Sequence, residues 1–297
     1  GRVVRVESRV PDPVLGEMDV VTTYDGYADF GGFAFPTRIR QSQGGFPTLD
    51  LTVREVVANA PADIVLPDAV RTATERVTVD KVAEGVWFIA GGSHNSVAIE
   101  MKDHVILVEA PLNDGRTVPV MSEVKKLAPG KPIRYVLNSH HHFDHSGGVR
   151  AAAGEGATIV TQAQNKPYYE RTLATASTIA PDHFAKSGKK GRIVAVGDRM
   201  VLRDATRTVE IYRTDDSNHS DTLLMVYLPK ERLLIEADSF TPGPPNSPPP
   251  AQLNPNNTNL VDNLAKLNLA VDRILPLHGR VAPASELYTA TGAKPPP

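Results

Sequence analysis

The sequence predicts an α/β protein in which two β-sheets lie between outer helices, preceded by a small antiparallel β-rich N-terminal domain. Three observations carry this. From about residue 77 the apolar runs read as strands, a helix, a strand, a helix, then strands and a helix again. Before that point, β-branched and aromatic runs are separated only by glycine-bearing turns. At 133–137 an apolar run ends on a histidine cluster, as a buried strand does when it delivers side chains to a site.

Composition narrows the function classes. The chain has 297 residues, 41% apolar and 22% charged, enough for one large domain or two smaller ones. A net charge of -2 without a dense basic cluster argues against a nucleic-acid surface. No apolar run approaches membrane-spanning length, so no membrane partner is expected. Cysteine is absent, which excludes disulfides, a cysteine nucleophile and thiolate metal ligands. The chain opens directly in the strand-like run Val3-Val4-Arg5-Val6 and reads as a mature or trimmed chain. An exported setting, periplasmic or secreted, is preferred over the cytoplasm.

The N-terminal domain is placed at residues 1–78. Strands are expected at 20–24, 33–39 and 49–57, with turns at Asp25-Gly26, Gly31-Gly32 and Gly44-Gly45. It holds no histidine and no acid pair, so its expected role is packing, pocket shaping or homodimer formation. Pro61 to Thr74 reads as a linker.

The second domain is placed at 79–297. Residues 85–90, 96–100 and 105–109 are three successive strands, with a short turn at Gly91-Gly92-Ser93-His94. Met121, Val124, Leu127 and Ala128 mark one helix face, stopped by Ala128-Pro129-Gly130. Helical stretches are expected at 149–153 and from Gln162 to about Ser177, where Tyr168 and Tyr169 are core or pocket wall, with the wall preferred. Strands follow at 193–196, 200–202, 209–212, 223–228 and 233–237. A proline-rich loop, Thr241 to Pro255, precedes a helix from about Thr258 to Leu269, capped by Asn256 or Asn257. A strand at 274–277 and a disordered tail from Lys294 complete the chain.

Chemistry concentrates in Asn138-Ser139-His140-His141-His142-Phe143-Asp144-His145-Ser146-Gly147-Gly148. Residues two apart on extended backbone point the same way, so His140 and His142 can converge on one ion. Asp144 and His145 fall where the chain turns and can serve a second. His219, Asp238 and His278 each sit just beyond a strand. Loops at the ends of several strands can meet at one edge of a sandwich.

Residues 77 to 282 resemble the metallo-β-lactamase-fold hydrolase superfamily. The matching pieces are Ser139–Gly148, Asn218-His219-Ser220, Glu236-Ala237-Asp238 and Leu275-Pro276-Leu277-His278-Gly279. The resemblance implies a four-layer αββα sandwich. It implies a first metal held by His140, His142 and His219, a second by Asp144, His145 and His278, and Asp238 bridging both. Two Zn²⁺ suit imidazole and carboxylate donors, and Fe or Mn are not excluded. The implied reaction is attack of a metal-bridging hydroxide on the carbonyl of a small-molecule β-lactam, lactone, ester or thioester, with Asp144 as the catalytic residue.

The chain also departs from the family pattern. Asp238 stands where some authentic lactamases carry a Cys ligand, and resembles glyoxalase II and lactonases instead. Position 241 is Thr rather than a substrate-anchoring Lys, and Glu109 stands where the superfamily usually has Asp. His142 replaces the Glu of the flavodiiron branch, which disfavours oxygen-reducing iron chemistry. An iron-dependent redox enzyme and a non-catalytic, metal-stabilised binding protein are the competing readings.

Overall fold

The structure, a computed structural model, describes residues 1–62, 64–72, 76–245 and 247–294. Parts of the expected linker and of the expected disordered tail therefore lie outside the described residues. The chain divides into two compact units: Gly1–Thr74 with Thr175–Ala180, and Glu75–Ala174 with Pro181–Pro297.

The first unit is a four-stranded antiparallel sheet of β1 (Arg5–Asp12), β2 (Gly16–Asp29), β3 (Ala34–Gln43) and β4 (Phe46–Thr52), in that order. Its register puts Val6, Thr22, Gln41 and Leu49 in one row and Arg5, Thr23, Arg40 and Asp50 in the next. Successive residues on a strand face opposite sides, so one face is rich in apolar groups and the other is charged. On the charged face Arg9 pairs with Asp19 at 3.0 Å and Arg38 with Asp50 at 2.7 Å. Residues 53–57, expected to continue the last strand, lie beyond its end at Thr52. The linker carries one helical turn, α1 (Asp68–Arg71).

The segment Thr175–Ala180 belongs to this unit because Glu17 holds it. Its Oε1 accepts from the Thr178 amide, from Thr178 Oγ1 at 2.6 Å and from the Ile179 amide at 3.0 Å. The expected helix to about Ser177 is corrected: it stops at Ala174, and Thr178 and Ile179 beyond it give their amides to the Glu17 carboxylate.

The second unit is a four-layer αββα sandwich. One sheet has seven strands: β5 (Thr78–Ala83), β6 (Val86–Gly91), β7 (His94–Glu100), β8 (Val105–Val108), β9 (Ile133–Leu137), β10 (Thr158–Gln162) and β11 (Arg192–Val196). The other has six: β12 (Arg199–Arg203), β13 (Thr208–Arg213), β14 (Leu224–Leu228), β15 (Leu233–Glu236), β16 (Arg273–Pro276) and β17 (Ala282–Pro283).

Strand alternation builds three apolar layers. Val97, Ile99, Ile106 and Val108 face inward against Leu224, Val226, Leu228 and Ile235 of the other sheet. Ala98, Val105 and Leu107 face outward, under α2 (Asp114–Leu127) and α4 (Val149–Glu155). Met225, Tyr227 and Leu234 face the opposite way, under α7 (Pro255–Lys266) and α8 (Ala284–Thr291). Each such buried aliphatic side chain contributes about 1.5–3 kcal/mol relative to exposure.

Helix α2 buries Met121 and Val124, with Ala128 beside them and Leu127 only partly covered. Its cap is Asn113, whose side chain accepts from the Arg116 amide at 3.2 Å. Helix α7 starts earlier than the sequence suggests. Asn254, rather than Asn256 or Asn257, is the cap, because Pro255 presets the first helical φ and has no amide to satisfy. Short α3 (Phe143–Ser146), α5 (Lys166–Ala174), α6 (His183–Ser187) and the C-terminal pair β17–α8 complete the unit. No helix among the described residues is long and apolar enough to cross a membrane.

Candidate metal centre

The topology sends the chemical residues to one edge. Strands β8, β9 and β10 run parallel, as do β15 and β16, so within each set the C-terminal ends face the same way. Glu109 follows β8, Asn138 to His140 follow β9, Asp238 follows β15 and His278 follows β16. His142 caps α3, which carries Asp144 and His145, and His219 lies between β13 and β14.

These side chains converge into two groups joined by one carboxylate. His140, His142 and His219 form the first, with His140 Nε2 3.1 Å from His219 Nε2. Asp144, His145 and His278 form the second, together with His94, which sequence reasoning had treated only as part of a turn. His145 Nε2 lies 3.0 Å from His278 Nε2. Asp238 sits between the groups. Its Oδ2 is 2.9 Å from His145 Nε2, 3.6 Å from His219 Nε2 and 3.7 Å from His140 Nε2, and its Oδ1 is 3.3 Å from His278 Nε2.

Outer hydrogen bonds set which nitrogen faces inward in His140, His145 and His278. His145 Nδ1 donates to Glu109 Oε2 at 3.0 Å. His278 Nδ1 donates to the Ser93 carbonyl at 3.0 Å. Ser139 Oγ gives its proton to Glu109 Oε2 at 2.6 Å and so accepts from His140 Nδ1 at 3.0 Å. A neutral imidazole with Nδ1–H carries a lone pair on Nε2. With both rings neutral, the lone pairs of His145 and His278 would face each other at 3.0 Å, so the pair calls for a proton or a metal cation between them. Asp238 Oδ2 is buried and, although close to His145, makes no hydrogen bond. Inward lone pairs, an unbonded carboxylate oxygen and carboxylate-backed histidines fit a pair of divalent cations.

Electrostatics agree. Burial, then the neighbouring His145, pushes His140 down to about 2, so it stays a neutral donor. Burial opposes charge on His145 too, but Asp144, Asp238 and Glu109 outweigh it and push its pKa up to about 12. That ring sits in a field built for positive charge, which a metal ion would supply. The neighbouring His145, then His94, hold Asp144 well below the usual carboxylate range. Burial works against ionising Asp238, yet His145 and His278 keep it far below that range.

Two acids at the site occupy left-handed backbone, Glu109 with φ 74° and Asp238 with φ 58°. Such conformations are uncommon for side chains of this kind and cluster where function fixes geometry. Glu109 is a hub: it accepts from Asn138 Nδ2 at 2.9 Å and the Ser139 amide at 3.3 Å, besides Ser139 Oγ and His145. Tyr169, for which the sequence prefers the pocket wall, is instead core. It is fully buried, and its hydroxyl donates to Asn138 Oδ1. The proline-rich loop begins beside Gly279 and Arg280, where Arg280 Nε donates to the Gly243 carbonyl at 3.0 Å.

Fold and site together define a metal-site α/β sandwich, and the chain belongs to the metallo-beta-lactamase superfamily, whose sequence model matches residues 89–278. It is similar to 2,4-dinitroanisole O-demethylase subunit alpha of Nocardioides sp. (strain JS1661), with 28% identity over 173 residues, 57% of this chain and 48% of that protein. The chain thus spans about half the length of that curated relative. Among solved structures it resembles a metallo-beta-lactamase from Pontibacter korlensis, with 17% identity and a TM-score of 0.54 over 73% of this chain and 98% of that one. It also resembles FIM-1 from Pseudomonas aeruginosa in its mono-zinc form, with 21% identity and a TM-score of 0.53 over 73% and 94%. Likeness to these structures is one of fold.

Proposed function

We propose that the chain is a metal-dependent hydrolase with two zinc ions, acting on the carbonyl of a small ester, lactone, thioester or β-lactam. The observation that carries this is Asp238, a carboxylate with a buried, unbonded Oδ2 set between two groups of imidazoles. His140, His142 and His219 would hold one ion and Asp144, His145 and His278 the other. Ions there supply a water ionised near neutral pH, at a pKa of about 7, and a Lewis acid for a carbonyl oxygen.

The chain's own residues do the rest. Glu109 and Ser139 keep the rings of His145 and His140 in one tautomer. Asp144 is 38% exposed, against 18% for Asp238, and is the acid placed to orient a nucleophile and pass a proton to the leaving group. The stiff proline-rich loop that follows Asp238 forms part of the pocket rim. The apolar face of the N-terminal sheet serves pocket shaping or pairing of two copies.

The test is a substrate panel on zinc-loaded protein: lactones, thioesters, β-lactams and phosphoesters. The Nocardioides relative's name adds 2,4-dinitroanisole, an aryl methyl ether, to that panel. Turnover of a carbonyl substrate that chelation abolishes and zinc restores supports the reading. Activity that needs iron and consumes oxygen overturns it.

A further inference from the structure

We propose that His94 is a ligand of the second metal ion, completing a four-donor set with Asp144, His145 and His278. The inference rests on the metal-centre reading above and adds to it a residue outside the histidine motif and the later strand ends.

Backbone placement comes first. His94 opens β7, and its carbonyl accepts from Arg116 Nη1 at 3.2 Å. The next residue, Asn95, is bolted to the segment that carries His278. Its amide donates to the Leu277 carbonyl at 2.9 Å, and its Nδ2 to the carbonyls of Pro276 at 3.1 Å and Gly279 at 2.8 Å. His94 and His278 are therefore held in one rigid frame, their rings edge to face with centroids 4.4 Å apart.

Donor spacing comes second. Four atoms around a tetrahedral ion at about 2.0–2.1 Å lie about 3.3–3.4 Å from one another. Asp144 Oδ2 is 3.1 Å from His94 Nε2, 3.4 Å from His145 Nε2 and 3.5 Å from His278 Nε2, and the two last nitrogens are 3.0 Å apart. All four donor atoms fall within 4.8 Å of one another. A surface histidine has no reason to adopt this spacing, and the His94 side chain is only 11% exposed.

Ring orientation comes third. Ser93 meets the outer nitrogens of both rings: its carbonyl takes the His278 Nδ1 proton, and its Oγ lies 2.7 Å from His94 Nδ1. With Nδ1–H on Ser93 Oγ, His94 turns its Nε2 lone pair inward, as His145 and His278 do.

The assignment has a functional consequence. With His94, Asp144, His145, His278 and Asp238 around it, a second ion would have one donor more than a first ion among His140, His142, His219 and Asp238, so a substrate oxygen would meet less crowding on the His142 and His219 side of the site.

The test is proton NMR of the cobalt-substituted protein in water, with cobalt stoichiometry measured alongside. Every histidine ligand carries one exchangeable N–H on its other nitrogen, shifted far outside the ordinary range. His94 as a ligand gives six such resonances, one of which is missing in His94→Ala. Five resonances in the unsubstituted protein, all kept in His94→Ala, overturn the proposal and leave His94 as a hydrogen-bond donor that positions Asp144. Fewer than two cobalt ions bound to the unsubstituted protein would instead bring down the two-metal reading itself, and this assignment with it.

Discussion

Glu109 Oε2 lies 3.0 Å from His145 Nδ1 and accepts the Ser139 hydroxyl as well, so one buried carboxylate orients two histidines. It reaches them from the end of β8, next to the strand that delivers the histidine motif. Its negative charge makes both rings better donors. Replacing Glu109 with Gln keeps the shape and removes the charge. The expected result is a loss of about 10–100-fold in affinity for the ion at His145, read by competition with a chelator.

Asp238 is the one residue shared by both donor groups. Asp238→Asn leaves an amide that cannot bridge two cations. Bound metal should fall below two equivalents, and turnover by roughly 100-fold or more, since a donor matters at least as much as the residues behind it. Elemental analysis beside kinetics checks both.

Chelation should lower thermal stability. An ion present at about 1,000 times its Kd stabilises the fold by about 4 kcal/mol, which for a unit of this size is roughly 8–16 °C in Tm. Scans with and without chelator read it. Equal Tm values would show that the donor set does not hold metal in the folded protein.

Far from the site, Arg134 first, then His104, hold the exposed Asp103 carboxyl down to about 2, below its ordinary value of 3.8. A lowered folded pKa favours the ionised form. The resulting stability is complete above about pH 4 and is lost as pH falls toward 2. Asp103→Asn should lower stability near neutrality, where the contribution is complete, and change little near pH 2, where it is already lost, as denaturant titrations at stepped pH would reveal.

Tyr169 ties the helix layer to the site through Asn138. Tyr169→Phe keeps the ring in the core and strands the buried Asn138 oxygen. A cost of about 1–3 kcal/mol is expected, measured by urea unfolding.

The histidine motif was readable because four donors within six residues follow an apolar strand, a local pattern. His219, Asp238 and His278 were readable only by position, each one step past a strand. His94 was not. It begins a strand instead of ending one, and its turn, Gly92-Ser93, looks like any hairpin. Its meaning comes from Asn95 bonding to Pro276 and Gly279, some 180 residues away in sequence. The layers were legible because alternation sorts Val97 and Ile99 from Ala98. The role of Glu17 was not, since nothing near it in sequence foretells that it holds Thr178. Helix α8 was missed because its buried residues, Ala284, Leu287 and Tyr288, are too few to set a period.

Donors that meet here are far apart along the chain: 79 residues separate His140 from His219, and 133 separate His145 from His278. An unfolded chain offers a passing ion only the cluster at 140–145, and the remaining donors arrive when the two sheets dock. On the proposed reading, full metal loading therefore requires the folded sandwich. A mutation that merely slows that docking would yield a partly metallated product with every donor residue intact.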